Sequence, residues 1–412
     1  MMRVTLLALV MLLAVAACRR TPVESADAGG PTISGAAGVT GAAGATGAAG
    51  NPASAGTTGT AGTTGTAGTM DVGALSFLPA AITSTGRANA LALGDLNGDG
   101  KPDIAIAVDQ VNQAPTPADV LLNNGDGSFR AAPGFAASRA LGLGDLNGDG
   151  ALDVVAATSG PGVGVFLNAG GGTFGSRVGV STPAPTNNVV VADFNGDGRT
   201  DLATAGLVDA VSGTVSIVVN SPSGTFAAAG NYALGGGVYS MAVGDIDGDG
   251  DTDLIVAGAR NNLNILVNRG NALFDATTVS ISESPASAAF ADLDGNGVPD
   301  LVLASGAHVG LLYNKGDRTF DGPFDYPIVD SSAIATGDLD GDGRVDLAVA
   351  TLNFPFVFIL RNDGDKAFAP PLQIETGVHA GGLALGDVNG DGKLDIVVAG
   401  IEGVGVLIND RH

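Results

Sequence analysis

One loop recurs along this chain and sets its architecture. The stretch Asp95-Leu96-Asn97-Gly98-Asp99-Gly100-Lys101-Pro102-Asp103 packs three carboxylates and an amide into a single turn. Copies begin at Asp95, Asp145, Asp193, Asp245, Asp292, Asp338 and Asp387, in steps of 50, 48, 52, 47, 46 and 49 residues. A length of 412 residues would suggest two or three ordinary domains. A fixed period overrides that, because each repeat is one supersecondary unit that buries its apolar faces only against its neighbours.

The units read as β. In the first, 89–93 leads into the acidic loop and 103–108 leaves it. Residues 119–123 follow, then a turn, then Phe129 opens another extended piece. Asn-turn-Phe pieces end likewise at Phe174, Phe226, Phe274, Phe320 and Phe368. Outside the N-terminal apolar run no segment carries a 3.6-residue period. Four short strands (A to D) per unit, seven times, specify a β-propeller. The last unit stops at Asn409 without a strand D, while 74–82 precede the first loop with no unit of their own. The expected fold is therefore an all-β, seven-bladed propeller over 73–412. Its N-terminal strand completes the last blade and leaves no unpaired seam.

The charge is one-sided, with 42 acids against 18 bases and a net charge of -24. That excludes a nucleic-acid partner, which needs a basic patch. Of the acids, 23 fall at positions 1, 3, 5 and 9 of the loops. Side chains at alternating positions can converge on a hard cation such as calcium, which takes six to eight oxygens. Position 3 is Asn97, Asn147, Asn195, Asp247, Asp294, Asp340 and Asn389. Position 5 is Asp99, Asp149, Asp197, Asp249, Asn296, Asp342 and Asp391. Position 9 is Asp103, Asp153, Asp201, Asp253, Asp300, Asp346 and Asp395. Position 7 varies freely (Lys101, Ala151, Arg199, Asp251, Val298, Arg344, Lys393), as expected if only its carbonyl binds. Like charges this close repel by roughly 4 kcal/mol per pair at an effective dielectric near 20. We expect up to seven structural Ca2+ ions, tightest in loops four and six, which carry four ligand carboxylates. The competing reading is a metal-free Asx/Gly turn.

An EF-hand would need an acid at position 12 and flanking helices. Position 12 is Ile106, Ala156, Thr204, Val256, Leu303, Val349 and Val398, and the flanks are strands, so that reading fails. The Gly-Asp-x-Asn/Asp-Gly-Asp-Gly-x-x-Asp loops, with their Asn-x-Gly-x-Gly-x-Phe turns, resemble the FG-GAP/VCBS repeat family typified by integrin α-subunit propellers. The resemblance covers 75–409. It implies a calcium-stapled seven-bladed propeller used mostly in extracellular adhesion and ligand binding. Integrin-type chains carry the metal loop in only some blades; here every unit has it.

Residues 1–18 read as a secretory signal, with Arg3 before the apolar run 4–15, which is too short to span a membrane. It ends Val15-Ala16-Ala17-Cys18, resembling a bacterial lipobox whose Cys18 becomes the lipidated first residue of the mature chain. The alternative is an ordinary signal with an incidental Cys. Arg19 in place of Asp favours, by resemblance, the outer membrane over inner-membrane retention. Residues 19–72 hold almost no large apolar side chains, and Gly recurs every third residue over 35–50 and 56–68. Too little Pro is present for a collagen helix, so a disordered tether is expected. Its r.m.s. span would be roughly 40 Å.

Metal loops and C–D turns should share one face, with the longer B–C and D–A connections on the other. Those include 109–118, 176–188, 231–240, 321–332 and 351–355, with Tyr232, Tyr239, Phe324, Tyr326 and Phe354. A ligand is expected there, although each aromatic alone could serve local packing. Catalytic residues are scarce: His308 and His379 on that face, and Glu283, Glu375 and Glu402 as the only Glu of the domain. A His-carboxylate pair, for example His379 with an Asp of a neighbouring blade, is the remaining catalytic option. The expectation is a non-enzymatic, surface-tethered module for an extracellular protein or glycan, touching the membrane only through its lipid. A polysaccharide lyase and a purely structural envelope protein are the alternatives.

Overall fold

Strand B of each unit is apolar at consecutive positions, which suits a strand covered on both sides. Asp103–Val108, Asp253–Gly258 and Asp395–Gly400 are buried along their whole length. The covering comes from the blades on either side. The computed structural model describes residues 75–78, 81–83, 87–108, 120–135, 140–157, 161–208 and 212–411. The expected signal, Cys18, the tether and the 109–118 connection lie outside them.

Blade 1 consists of strands A (Ala88–Gly94), B (Asp103–Val108), C (Val120–Asn123) and D (Phe129–Ala132), antiparallel in that order. Blades 2 to 6 follow over 141–185, 188–234, 238–280, 287–326 and 331–375. Blade 7 draws A, B and C from Ala380–Gly386, Asp395–Gly400 and Gly403–Leu407. Its outer strand is Ala81–Thr83, with Ala81 opposite Val406 and Thr83 opposite Val404. Phe77 bridges to Asn409 beyond it. The ring closes through the N-terminal strand, as the missing fourth strand of the last unit required.

The core lies between blades. Seven apolar clusters occupy the seven blade interfaces. The closing interface packs Leu91 and Ile104 of blade 1 against Val397 and Val404 of blade 7. Each fully buried side chain of this size contributes about 1.5–3 kcal/mol. Inner strands carry small residues because seven of them crowd the axis. They leave a cavity of about 290 Å³ lined by Ala92, Gly142, Ala242, Phe290, Thr336 and Ala384, among others. A Cβ on Gly94 would stand 2.6 Å from Leu152 Cδ1 of blade 2. Close packing between blades thus explains the glycine ahead of Asp95.

The outer strands, and the inner strand of blade 4, depart from expectation. Tyr232 lies in strand Phe226–Leu234, Tyr239 in Val238–Gly244, and Phe324 and Tyr326 in Phe320–Tyr326. Of the five aromatics assigned to loops only Phe354 is in one. Much of 176–188 is likewise strand Val178–Pro185. Outer strands face solvent on one side and place small or polar residues at some of their inward positions, as with Thr182 and Ala184 beside Val180 in Val178–Pro185, so no clear apolar alternation marks them in the sequence. Phe368 sits in a small hairpin (Asn362–Gly364 with Ala367–Phe368), and the outer strand of blade 6 is Leu372–Glu375.

Candidate metal centres

Each acidic loop joins strand A to strand B at one end of its blade. Gly98 (φ 79°) and Gly100 (φ 81°) take left-handed backbone angles that a Cβ disfavours. Those angles aim amide groups at the position-1 carboxylate. In all seven loops one oxygen of that Asp accepts from the position-4 glycine N–H at 2.6–2.8 Å. The other accepts from the position-6 glycine N–H at 2.7–2.9 Å.

The position-9 carboxylates are fully buried in all seven blades. One oxygen accepts from the position-2 N–H at 2.8–3.1 Å. The other accepts at 2.6–2.8 Å from the N–H of the Asn that ends strand C: Asn123, Asn168, Asn220, Asn268, Asn314, Asn362 or Asn409. Burial, and secondarily the negative charges of the same loop, raise the pKa of all seven. Asp253 and Asp346 are pushed up to about 6.

In the sequence those asparagines read as turn residues; the structure gives them a second role. Each Nδ2 donates to the position-8 carbonyl of its own blade at 3.0–3.2 Å. It also donates to the position-2 carbonyl of the preceding blade at 2.7–2.9 Å. Every acidic loop is therefore tied to the next blade. The available signal was an Asn at the same place in every unit.

Three loops bring carboxylates together. Asp245, Asp247 and Asp253 each offer an oxygen within 4.8 Å of the others, as do Asp292, Asp294 and Asp300, and Asp338, Asp340 and Asp346. These are the loops with Asp at position 3. Position 5 lies outside these groups: Asp249 instead accepts from the Asp251 N–H at 2.9 Å, and Asn296 from the Val298 N–H at 2.7 Å. In blade 4 the fit to a cation is most direct. Asp247 has a side chain 7% exposed, and its Oδ1 is buried without a hydrogen-bond partner. A buried, unpaired carboxylate oxygen is costly unless a cation meets it. A hard divalent ion accepts such a donor set, and the position-5 side chains could join it only by turning from the backbone.

Comparison with protein families agrees with the repeat. A model of the FG-GAP-like repeat matches 145–204, 206–256, 245–303, 292–349 and 338–398, more than half of the chain. A model of the FG-GAP repeat matches 88–128. The chain belongs to the FG-GAP-like repeat family. No curated protein matches it. Among solved structures, an Agrocybe aegerita lectin that recognises non-reducing terminal N-acetylglucosamine superposes with a TM-score of 0.49 at 23% identity, over 71% of this chain and 81% of that one. BBS1N in complex with ARL6DN superposes with a TM-score of 0.57 at 14% identity, over 81% of this chain and 96% of that one. At 14% identity the likeness to BBS1N speaks for the fold alone.

The other face of this FG-GAP propeller is not repeated. Val329, in the connection entering blade 6, and Phe354 and Ile401, in the B–C turns of blades 6 and 7, are exposed there. Asp330 Oδ1 accepts from Asn353 Nδ2 at 2.6 Å, which ties the loops of Val329 and Phe354 together. His379 pairs through Nδ1 with Glu402 of its own blade at 2.7 Å, rather than with an Asp from a neighbour. His308 lies between Glu283 (3.6 Å from Nδ1) and Asp325 (3.3 Å from Nε2). Tyr232 is a packing residue: its hydroxyl accepts from the Phe274 N–H at 2.9 Å and its ring meets Phe274 edge-on.

Proposed function

We propose that this chain is a calcium-stapled, non-enzymatic binding module that docks an extracellular protein or glycan on the face opposite the acidic loops. One observation carries the reading. The repeated polar side chains at the metal-loop end serve the ring itself, whereas the connections at the other end are unrepeated and expose Val208, Val329, Phe354 and Ile401. A rigid scaffold presenting variable side chains is a usual arrangement for recognition. The calcium would be held by positions 1, 3 and 9, with position 5 and the position-7 carbonyl completing the shell. Bound there it supplies positive charge to carboxylates that otherwise repel.

Attachment fits the same picture. The Cys18 lipobox and the 19–72 tether support export and lipid anchoring at the bacterial outer membrane or cell surface. Leu78 donates to the Ile408 carbonyl at 2.9 Å, so the N-terminal segment joins blade 7 at its metal-loop end. The proposed ligand face is therefore opposite the end at which Leu78 enters the propeller. The test is an array of glycans and surface proteins probed in calcium and in chelator, with F354A and I401A as controls. Binding lost in both variants and in chelator supports the reading; an array with no calcium-dependent binder contradicts it.

A lyase-type activity on polysaccharide is the second reading. The His379–Glu402 contact favours it, because a carboxylate on Nδ1 orients the ring and leaves Nε2 for a proton. A polysaccharide cleavage that survives both H379A and H308A would remove the histidine candidates.

A further inference from the structure

The seven loops differ in how much of their negative charge basic side chains offset. Position-7 bases sit beside position-5 carboxylates in loops 1, 3 and 7: Lys101 with Asp99 at 3.9 Å, Arg199 with Asp197 at 3.8 Å and Lys393 with Asp391 at 3.5 Å. Each of these loops holds three Asp and one base, for a formal charge of -2. Loop 5 also holds three Asp, and Lys366 of blade 6 reaches Asp294 at 3.2 Å, giving -2 again. Loop 6 holds four Asp. Arg344 pairs with Asp342 and Arg361 lies 3.6 Å from Asp340, so it too returns to -2. Arg411 of blade 7 adds a further guanidinium close by, donating to the Leu339 carbonyl at 2.7 Å.

A rule emerges at position 3. Wherever Asp replaces Asn, a base stands against it: Arg318 on Asp247, Lys366 on Asp294 and Arg361 on Asp340. The first two come from the following blade. Two loops escape the balance. Loop 2 holds three Asp with Ala151 at position 7, for -3. Loop 4 holds five, with Asp251 at position 7, against Arg318 alone, for -4. It also carries the buried, unpartnered Asp247 Oδ1.

We propose that the seven loops are a graded set, in which blade 4 takes a divalent cation first and most tightly, and the bases set the order of the rest. This rests on the calcium reading above and alters its ranking, because loop 6 loses by its guanidiniums what it gains by its fourth carboxylate. Charge separates the sites, since interactions of a divalent ion with fixed charges in a half-buried loop are only partly screened.

The test is a calcium titration of the full chain by isothermal calorimetry and native mass spectrometry. The wild-type protein should show one ion bound well before the others. D247N should weaken that first step by about ten-fold or more and leave the later steps in place, and R318Q should tighten it by about ten-fold. R361Q should tighten one of the later steps. Arg318 is half-exposed, so R318Q tests the proposal even if the buried substitution disturbs folding. Equivalent sites, or a first step indifferent to both D247N and R318Q, would overturn the grading while leaving calcium binding intact. No bound calcium at millimolar concentration would overturn the calcium reading itself.

Discussion

Asn123 Nδ2 donates to the Val388 carbonyl at 2.9 Å, although 265 residues separate the two in sequence. This hydrogen bond joins the first blade to the last. The same bond runs from every blade to the one before it, so the loops that gather the carboxylates also carry the links of the ring.

Asn123→Ala should therefore destabilise the fold well beyond an ordinary surface change. It removes the donor from two carbonyls, the buried one of Val388 and the half-buried one of Pro102. A net loss of roughly 2–4 kcal/mol is expected, because these acceptors are left unsatisfied. Asn124→Ala, whose amide meets only the exposed Ser128 hydroxyl at 3.0 Å, should change stability by less than about 0.5 kcal/mol. Urea unfolding of the two variants makes the comparison.

Removal of residues 75–83 should expose strand Gly403–Leu407 as a free edge. Both Val404 and Val406 would lose the strand that pairs with them. A marked fall in Tm and concentration-dependent association are expected. Light scattering during a thermal ramp would show both.

Gly94→Ala places a methyl 2.6 Å from Leu152 Cδ1 and 3.0 Å from Leu143 Cδ1. Overpacking of this kind costs about 1–3 kcal/mol. Differential scanning calorimetry should register a lower Tm with no change in the number of ions bound, because the loop itself is untouched.

In chelator, stability should fall as pH rises from about 4 to about 6. The carboxyls of Asp253 and Asp346 titrate at about 6 in the fold against an ordinary value of 3.8. The folded state then binds more protons than the unfolded state in that window, and stability declines with pH. At most roughly 3 kcal/mol per group is lost by pH 7. Calcium needs the same groups deprotonated, so its stabilising effect should grow over the same range. Denaturation midpoints at pH 5 and pH 7, with and without calcium, give the two slopes.

The ring and its loops were legible because their residues repeat in phase: Asp95 and its six counterparts fix the period, and the missing strand after Asn409 matches the surplus one before Asp95. Three things were not. The reach of Asn123 to Val388 depends on which blade stands beside which. The pairing of Arg318 with Asp247 crosses a blade boundary for the same reason. Tyr232 looked like a loop residue because strand Phe226–Leu234 contains Gly230 and Asn231 and faces solvent over much of its length.

In the proposed function the loops are cation staples. Thermal unfolding in millimolar calcium and in excess chelator tests this most directly. An ion that binds only the folded state stabilises it by about 2.7 kcal/mol per site at one hundred times its Kd. Melting should therefore shift upward by many degrees in calcium, with the shift diminished in D247N. Superimposed melting curves in calcium and chelator would contradict it.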